Sequence, residues 1–284
     1  DKITAFDSKH NVRNYWYENC VNAGIFVFEK KICDYVPEPV KRNLENDVIK
    51  GMLEAGEPIY GYCSPEYVKD VGTVERVNQT LADIERGVIA GKCLKNKQRC
   101  IFMDRDGTIN QYKGLVYKGE DFTLEDCAVD AIRKINQSGR LGIVITNQPV
   151  VARGLCEIED VENIHKKMET LLGKEGVFLD DVFYCPHHPD KGYPEENPAY
   201  KTPCECRKPK TGMIQKAAER YNIDLAGSWM IGDTTMDIQT GINAGMRTAL
   251  VQTGEAGNDK KYDVKPDLVC RDLLDAVEKI LQVD

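Results

Sequence analysis

From residue 99 onward, short apolar runs alternate with amphipathic stretches. RCIFMDR (99–105) is an apolar run ending in charge, and LGIVITN (141–147) is a second. DDVFYC (180–185), SWMIGD (228–233), TALVQTG (248–254) and DLVC (267–270) continue the series. Their lengths suit buried strands. Between them lie helical patterns. Ala128, Ile132 and Ile135 keep helical spacing within about 125–138, and a polar-faced helix is expected over 157–173. TGMIQKAAERYN opens on Thr211, a candidate N-cap, and DLLDAVEKIL closes the chain. Strands alternating with helices predict an α/β fold, a Rossmann-like parallel sheet with helices on both faces. In such sheets ligands bind beyond the carboxyl ends of the strands. Asp104, Asp106 and Asp233 all fall at such ends.

Residues 1–98 read differently, as a smaller α+β segment. VNAGIFVFE and PIYGYC are strand candidates, a helical stretch follows YVPEPV, and VGTVERVNQTLADIERG looks like a turn entering a helix. The expected organisation is a segment 1–90, a Gly- and Lys-rich linker 91–98 and a domain 99–284.

Composition narrows the function. The hydrophobic fraction is 42 % and the charged fraction 30 %, the proportions of an ordinary globular protein with ample core material. A net charge of -8 argues against a general nucleic-acid or membrane-surface binder. No apolar run reaches the length of about 18 residues that a membrane span needs. The first residue is Asp1 in place of Met, as expected of a fragment or a renumbered chain. Eleven cysteines would suit a disulfide scaffold in a short secreted chain, but this chain is too long to need one. The reducing cytoplasm is the expected compartment.

The chemistry gathers at Asp104-Arg105-Asp106-Gly107-Thr108. Two carboxylates two residues apart, with Gly107 letting the chain turn, reach one reacting phosphorus. One attacks as nucleophile, and the other protonates the leaving oxygen and later activates water. Mg²⁺ is needed because an anionic carboxylate must approach an anionic phosphate. A lone DxDG string also fits a calcium loop or a polar turn, but matching pieces follow in order. Thr146 and Asn147 offer a hydroxyl and an amide to phosphoryl oxygens, and Lys208 offers a positive charge. Asp233, with Asp237 four residues on, is a hard oxygen ligand suited to Mg²⁺. Separately, Cys185, His187, Cys204 and Cys206 suit a tetrahedral, closed, structural Zn²⁺ site that would order the Pro-rich stretch between the pairs. His188 is expected to be a surface side chain, and His165 an exposed helix residue.

FMDRDGTIN, VITNQ followed by ARG, YCPHHP, CECRKPKTGM and MIGDTTMDI together resemble the haloacid dehalogenase superfamily. The likeness spans 99–284 and is greatest to the small branch that acts on heptose 1,7-bisphosphate and histidinol phosphate. The resemblance implies Asp104 as nucleophile, Asp106 as general acid and base, and Thr146 and Lys208 as phosphoryl binders. It implies Mg²⁺ held by Asp104, the Asp106 carbonyl and Asp233, and the same four Zn²⁺ ligands. Arg207 would touch substrate, and Arg207 and Arg153 are the cations best placed to hold the second phosphate of a bisphosphate. The expected partner is thus a small phosphorylated sugar, with histidinol phosphate or a non-catalytic sugar-nucleotide module as alternatives. The family usually reads NQSG or NQAG where this chain has Asn147-Gln148-Pro149-Val150. A β-branched residue resists positive φ, so a different loop shape is expected there. No cap domain fits between Asp104 and Thr146, so the site is expected to be open.

AFDSK, VNAGIFVFE, IYGYC and VKDVGTVERVNQ resemble the C-terminal part of a sugar-phosphate nucleotidyltransferase. That resemblance implies Lys9 and Asn22 at a sugar phosphate and Asp70 at a metal. This chain lacks the Gly-rich nucleotide loop of that family, and no transferase activity is expected of it.

Overall fold

The apolar runs after residue 99 become strands because each finds a parallel neighbour. β1 (Cys100–Met103) lies between β2 (Leu141–Asn147) and β4 (Trp229–Gly232). β3 (Asp181–Cys185) extends the sheet on one side, and β5 (Arg247–Val251) and β6 (Leu268–Cys270) on the other. The order is β3-β2-β1-β4-β5-β6, and every pairing is parallel. The register sets Phe102 beside Ile143 and Met230. The computed structural model describes residues 2–7, 13–36, 41–192 and 195–283. Lys9 lies outside them.

The chain divides into two units, residues 1–15 with 20–64, and residues 16–19 with 65–284. In the first, the candidate strands do not form. Residues 21–29 form no strand, and the 58–63 segment makes a lone bridge, Lys2 to Tyr60. The reason is the absence of partner strands among the described residues. Val27 is 99 % exposed, so it packs against nothing. What forms is helical: a turn at Lys30–Tyr35 and a turn at Leu44–Ile49 running into α1 (Lys50–Glu54). The Asn43 side chain accepts from Glu45 N–H at 3.0 Å and Asn46 N–H at 2.8 Å, capping that start.

The second unit begins with α2 (Val74–Glu85), capped by Thr73, and α3 (Val88–Gly91). The sheet is then covered on both faces. On one face Ile101, Met103, Val144 and Ile231 pack under α4 (Ala128–Ser138), α5 (Ile158–Lys174) and α8 (Leu273–Val283). On the other, Phe102, Ile143 and Met230 pack against α6 (Gly212–Tyr221). Adjacent strand residues point to opposite faces, and both faces are dry, as a parallel sheet requires. α7 (Thr235–Asn243) was not foreseen from hydrophobic spacing. Its signal is a capping box, Thr234 with Asp237 three residues on. Thr211 precedes α6 but makes no side-chain cap bond. No helix among the described residues is long and apolar enough to cross a membrane.

The short run of residues 16–19 lies along α5. Tyr17 exchanges two 2.9 Å hydrogen bonds with the Thr170 hydroxyl. Beside it, burial, with Glu18 and Asp181 adding repulsion, pushes the Glu169 carboxyl up to about 7, with Lys166 and the Asn19 N–H opposing. A folded-state value above the ordinary 4.5 means the carboxylate destabilises the fold as pH rises through that interval. Glu169→Gln should therefore raise Tm by roughly 2–4 °C at pH 8.5 and leave it unmoved at pH 4. Thermal melts at both pH values check this, and a gain of equal size at pH 4 would refute it.

Candidate active site

The sheet order brings the ends of β1, β2 and β4 side by side, and the chemistry-bearing residues follow directly. Asp104 continues β1, its N–H donating to Ile231 O at 2.9 Å. Gly107 then turns the chain at φ 79°, a region costly for residues with a Cβ. A Cβ on Gly107 would also lie 2.4 Å from Asp233 Oδ2, so nothing larger fits between the two loops. The turn is closed by Gly107 N–H donating to Asn110 O at 2.8 Å.

Lys208, 3 % exposed, reaches Asp104 Oδ1 at 2.9 Å and Asp237 Oδ1 at 2.5 Å. Burial alone would lower its pKa, but Asp104 and Asp237 outweigh that and hold the ammonium charged. Asp237 Oδ2 accepts from Thr234 N–H and Oγ1, so both its oxygens are engaged. The Asn147 side chain ties Lys208 down by its backbone. Its Oδ1 accepts from Lys208 N–H at 3.0 Å, and its Nδ2 donates to Lys208 O at 3.3 Å. The amide expected to face a phosphoryl group is thus spent on the lysine. Thr146 is buried, its hydroxyl accepting from Gln148 Nε2 at 3.0 Å.

Asp106 is clamped. Arg105 Nη2 donates to both its oxygens, at 3.0 and 2.8 Å, Asn110 Nδ2 to Oδ1 at 3.1 Å, and Gln148 Nε2 to Oδ2 at 2.9 Å. Arg105 is fully buried and its Nη1 meets His165 Nε2 at 3.2 Å. His165 is therefore not the exposed helix residue expected. α5 packs it inward, edge-on to the Tyr184 ring. Burial and the Arg105 charge hold it well below the ordinary histidine range. His188, expected at the surface, is also buried, and its Nδ1 accepts from Asp190 N–H at 3.2 Å.

The chain is similar to known proteins in sequence and in fold. Residues 205–276 match a family model described as HAD-hydrolase-like. A curated D-glycero-beta-D-manno-heptose-1,7-bisphosphate 7-phosphatase of Haemophilus ducreyi is 37 % identical over 182 residues, 63 % of this chain and 97 % of that protein. One from Escherichia coli K12 is 40 % identical over 156 residues, 55 % of this chain and 80 % of that protein. The chain belongs to the haloacid dehalogenase-like hydrolases, in the family of these phosphatases. A crystal structure of D,D-heptose 1,7-bisphosphate phosphatase from B. bronchiseptica, complexed with magnesium and phosphate, is 34 % identical with a TM-score of 0.58. It is matched over all of its length and over 66 % of this chain.

In this haloacid dehalogenase-like fold, ligand atoms of Asp104, Asp233 and Asp237 lie within 4.8 Å of one another. Burial, with repulsion from Asp237 and its neighbours, pushes Asp104 up to about 6 and Asp233 up to about 8. Asp233 Oδ1 is buried with no hydrogen-bond partner, while Oδ2 accepts from Glu255 N–H at 2.7 Å. Surplus negative charge and an orphaned carboxylate oxygen fit a hard divalent cation. Asp237 is engaged elsewhere, which leaves Asp104 and Asp233 as the side chains to hold it.

The cysteine cluster also assembles. Cys206 Sγ lies 3.1 Å from Cys185, 3.3 Å from Cys204 and 3.4 Å from His187 Nδ1, and Cys185 lies 3.5 Å from Cys204. A disulfide would measure about 2.05 Å. Ligands of one tetrahedral ion at ~2.3 Å stand roughly 3.8 Å apart. The four atoms converge on one centre at separations somewhat shorter than that, and too long for a disulfide. Arg207 Nη1 donates to His187 O at 3.1 Å, and burial, with repulsion from nearby Arg153 adding to it, holds Arg207 below the usual arginine range.

The Pro149-Val150 departure has a simple outcome. The loop winds into a turn, with Arg153 N–H donating to Pro149 O at 2.9 Å, and Val150 keeps a negative φ. Val150 and Val151 bury against Val161. Gly154 abuts the cysteine loop so closely that a Cβ would fall 1.6 Å from Glu195 O.

Arg105, Gln148, His165 and Asp237 were given no role from sequence. Arg105 had one available signal: a long cation between two carboxylates at a buried strand end needs partners. Because Asn147 anchors Lys208 from both sides, Asn147→Ala should lower phosphatase kcat/KM about 10-fold with the fold intact. Full activity in that variant would show that Lys208 needs no tether.

Proposed function

We propose that this chain is a magnesium-dependent phosphatase that removes the 7-phosphate of D-glycero-D-manno-heptose 1,7-bisphosphate through an aspartyl-phosphate on Asp104. The observation that carries the reading is the Asp104 carboxylate held at 2.9 Å by Lys208 beside the unpartnered Asp233 oxygen. An Asp104 oxygen attacks phosphorus, and the bond from phosphorus to the sugar oxygen breaks. Asp106 gives that oxygen its proton. Water then attacks the aspartyl-phosphate, Asp106 takes the water's proton, and inorganic phosphate and free Asp104 result. Lys208 and the Thr146 hydroxyl bind phosphoryl oxygens. Asp104, the Asp106 carbonyl and Asp233 would hold Mg²⁺, which neutralises charge as two anions meet.

Substrate choice lies outside this set, because every phosphate ester shares the reacting group. Arg153 and Arg207 are two neighbouring cations suited to the second phosphate of a bisphosphate. Histidinol phosphate is cationic at its amine and would want a carboxylate there. The relatives' names support the same substrate. On this reading residues 99–284 carry the reaction, and 91–98 link them to a nucleotidyltransferase-like segment, 1–90, to which no reaction is assigned. Asn22, expected at a sugar phosphate, instead donates to Glu45 Oε1 at 2.6 Å, and Asp70 pairs with Arg76. Cys185, His187, Cys204 and Cys206 hold a structural Zn²⁺. Thiols kept reduced for that purpose suit the cytoplasm.

Phosphate release should be fastest with heptose 1,7-bisphosphate, slower with hexose phosphates and slowest with histidinol phosphate. Asp104→Asn should fold and release no phosphate, since an amide forms no acyl phosphate. A preference for histidinol phosphate would overturn the substrate, and an active Asp104→Asn would overturn the mechanism.

Purified protein should contain one tightly held Zn²⁺ per chain. Stripping it should expose residues 185–206 to proteolysis in a way that added Mg²⁺ does not reverse, because metal-binding energy there is folding energy. Metal-free protein with full protease resistance across 185–206 would remove the zinc assignment.

A further inference from the structure

His165 stands outside the reaction as described, yet the geometry ties it to Asp106. Asp106 must be placed accurately, because it both gives a proton to the leaving oxygen and takes one from water. Its side chain is 19 % exposed, and its two oxygens are fixed by the Arg105 fork with help from Asn110 and Gln148. Orientation of the carboxylate therefore depends in large part on orientation of the guanidinium. Arg105 is fully buried and can turn about its long side chain unless its remaining N–H groups are held. Nη2 also donates to Gln148 Oε1 at 3.0 Å, and Nη1 points at His165 Nε2 at 3.2 Å.

A guanidinium has only donors, so Nε2 of His165 accepts and its proton sits on Nδ1. Charging the imidazole would set two buried cations in contact, which the site forbids. The ring is fixed in turn by α5 and by its edge-on contact with Tyr184, centroids 5.1 Å apart. The line from helix to acid is continuous: α5, His165, Arg105, Asp106.

We propose that His165 is a positioning residue, whose neutral imidazole accepts from Arg105 and thereby aims the Asp106 carboxyl at the leaving oxygen. This rests on the reading of Asp106 as acid and base, and leaving-group chemistry separates the two. The value of kcat/KM reports steps up to departure of the leaving group. An alkyl oxygen departs poorly without a proton, whereas p-nitrophenolate departs without one. A misplaced acid therefore slows alkyl phosphates selectively, and general loosening of the fold slows both alike.

The test uses the full chain loaded with Mg²⁺. Heptose 1,7-bisphosphate and glycerol 3-phosphate serve as alkyl phosphates, and p-nitrophenyl phosphate as the aryl phosphate. His165→Phe keeps the ring and removes the acceptor. It should lose roughly 10- to 100-fold in kcat/KM on the alkyl phosphates, part of the 10²–10⁴ that acid–base catalysis supplies, and about 3-fold or less on the aryl phosphate. KM should move little. His165→Gln, which restores an acceptor, should recover most of the loss. Should His165→Phe fail to fold, His165→Leu, which also lacks an acceptor, is read in the same way. Equal losses on both substrate types, or no rescue by Gln, overturn the proposal. Asp106→Asn is the control. If it discriminates by leaving group and His165→Phe does not, only the positioning role falls. If Asp106→Asn does not discriminate, the acid–base reading itself falls, and the inference falls with it.

Discussion

Lys208 sits almost wholly out of water between Asp104 and Asp237, and most of the site can be traced from that ammonium. Burying a cation costs several kcal/mol unless close, well-oriented charge offsets it. Asp237 supplies that charge on one side and with its other oxygen caps α7 through Thr234. One carboxylate thus fixes both the lysine and the first turn of a helix. Asp104 supplies the other half. With Asp233 added, three carboxylates share a pocket with one ammonium. The excess negative charge has two consequences. It adds to burial, the larger cause, in pushing Asp104 and Asp233 up toward the protonated form, and it makes a divalent cation the natural occupant of the space beside Asp233. A phosphate dianion meets a tolerable field only once that cation is in place.

Those charges can converge because of strand order. β1 is flanked by β2 and β4, so the residues that follow or end these strands, Asp104, Thr146 and Asp233, emerge side by side at one edge. Neighbouring strands stand about 4.8 Å apart, close enough for one phosphoryl group to span them. The core below is apolar on both faces, which keeps water from the strand ends and makes each ionic contact stronger there. Fold and chemistry therefore impose the same demand on the run 100–104: apolar residues that bury fully, then a carboxylate with nowhere to go but the edge.

Much of this is legible in sequence because it is local. Four-residue apolar runs before Asp104 and Asp233 announce strand ends, and paired Cys/His spacing announces a ligand cluster. What escapes is what depends on a partner distant in the chain. His165 lies on a helix whose pattern gives no cue that Arg105, 60 residues earlier, will meet it. Asn147 looks like a phosphate ligand until Lys208 arrives against it. VNAGIFVFE has the composition of a strand, but a strand is a property of a pair, and among the described residues no second strand lies beside it. Val150 shows the converse. Judged against a glycine it looks disruptive, yet the chain simply takes a turn with negative φ and buries both valines.

The cysteine loop has little apolar material of its own, so its order must be borrowed. The cysteine loop is tied at both ends by the converging Cys185, His187, Cys204 and Cys206 and at its middle by the 149–154 turn, where Asn197 N–H donates to Ala152 O at 3.0 Å. That turn starts one residue after Gln148, which holds Asp106, and the loop ends at Cys206, two residues before Lys208. Covalent continuity then does the rest. A shift of an ångström at Cys206 passes through Arg207 into Lys208 and from there to Asp104. The cluster therefore sets more than loop stability. It fixes the distance between the Arg153–Arg207 pair and the Lys208 ammonium, so on the proposed reading binding and chemistry are held to one frame.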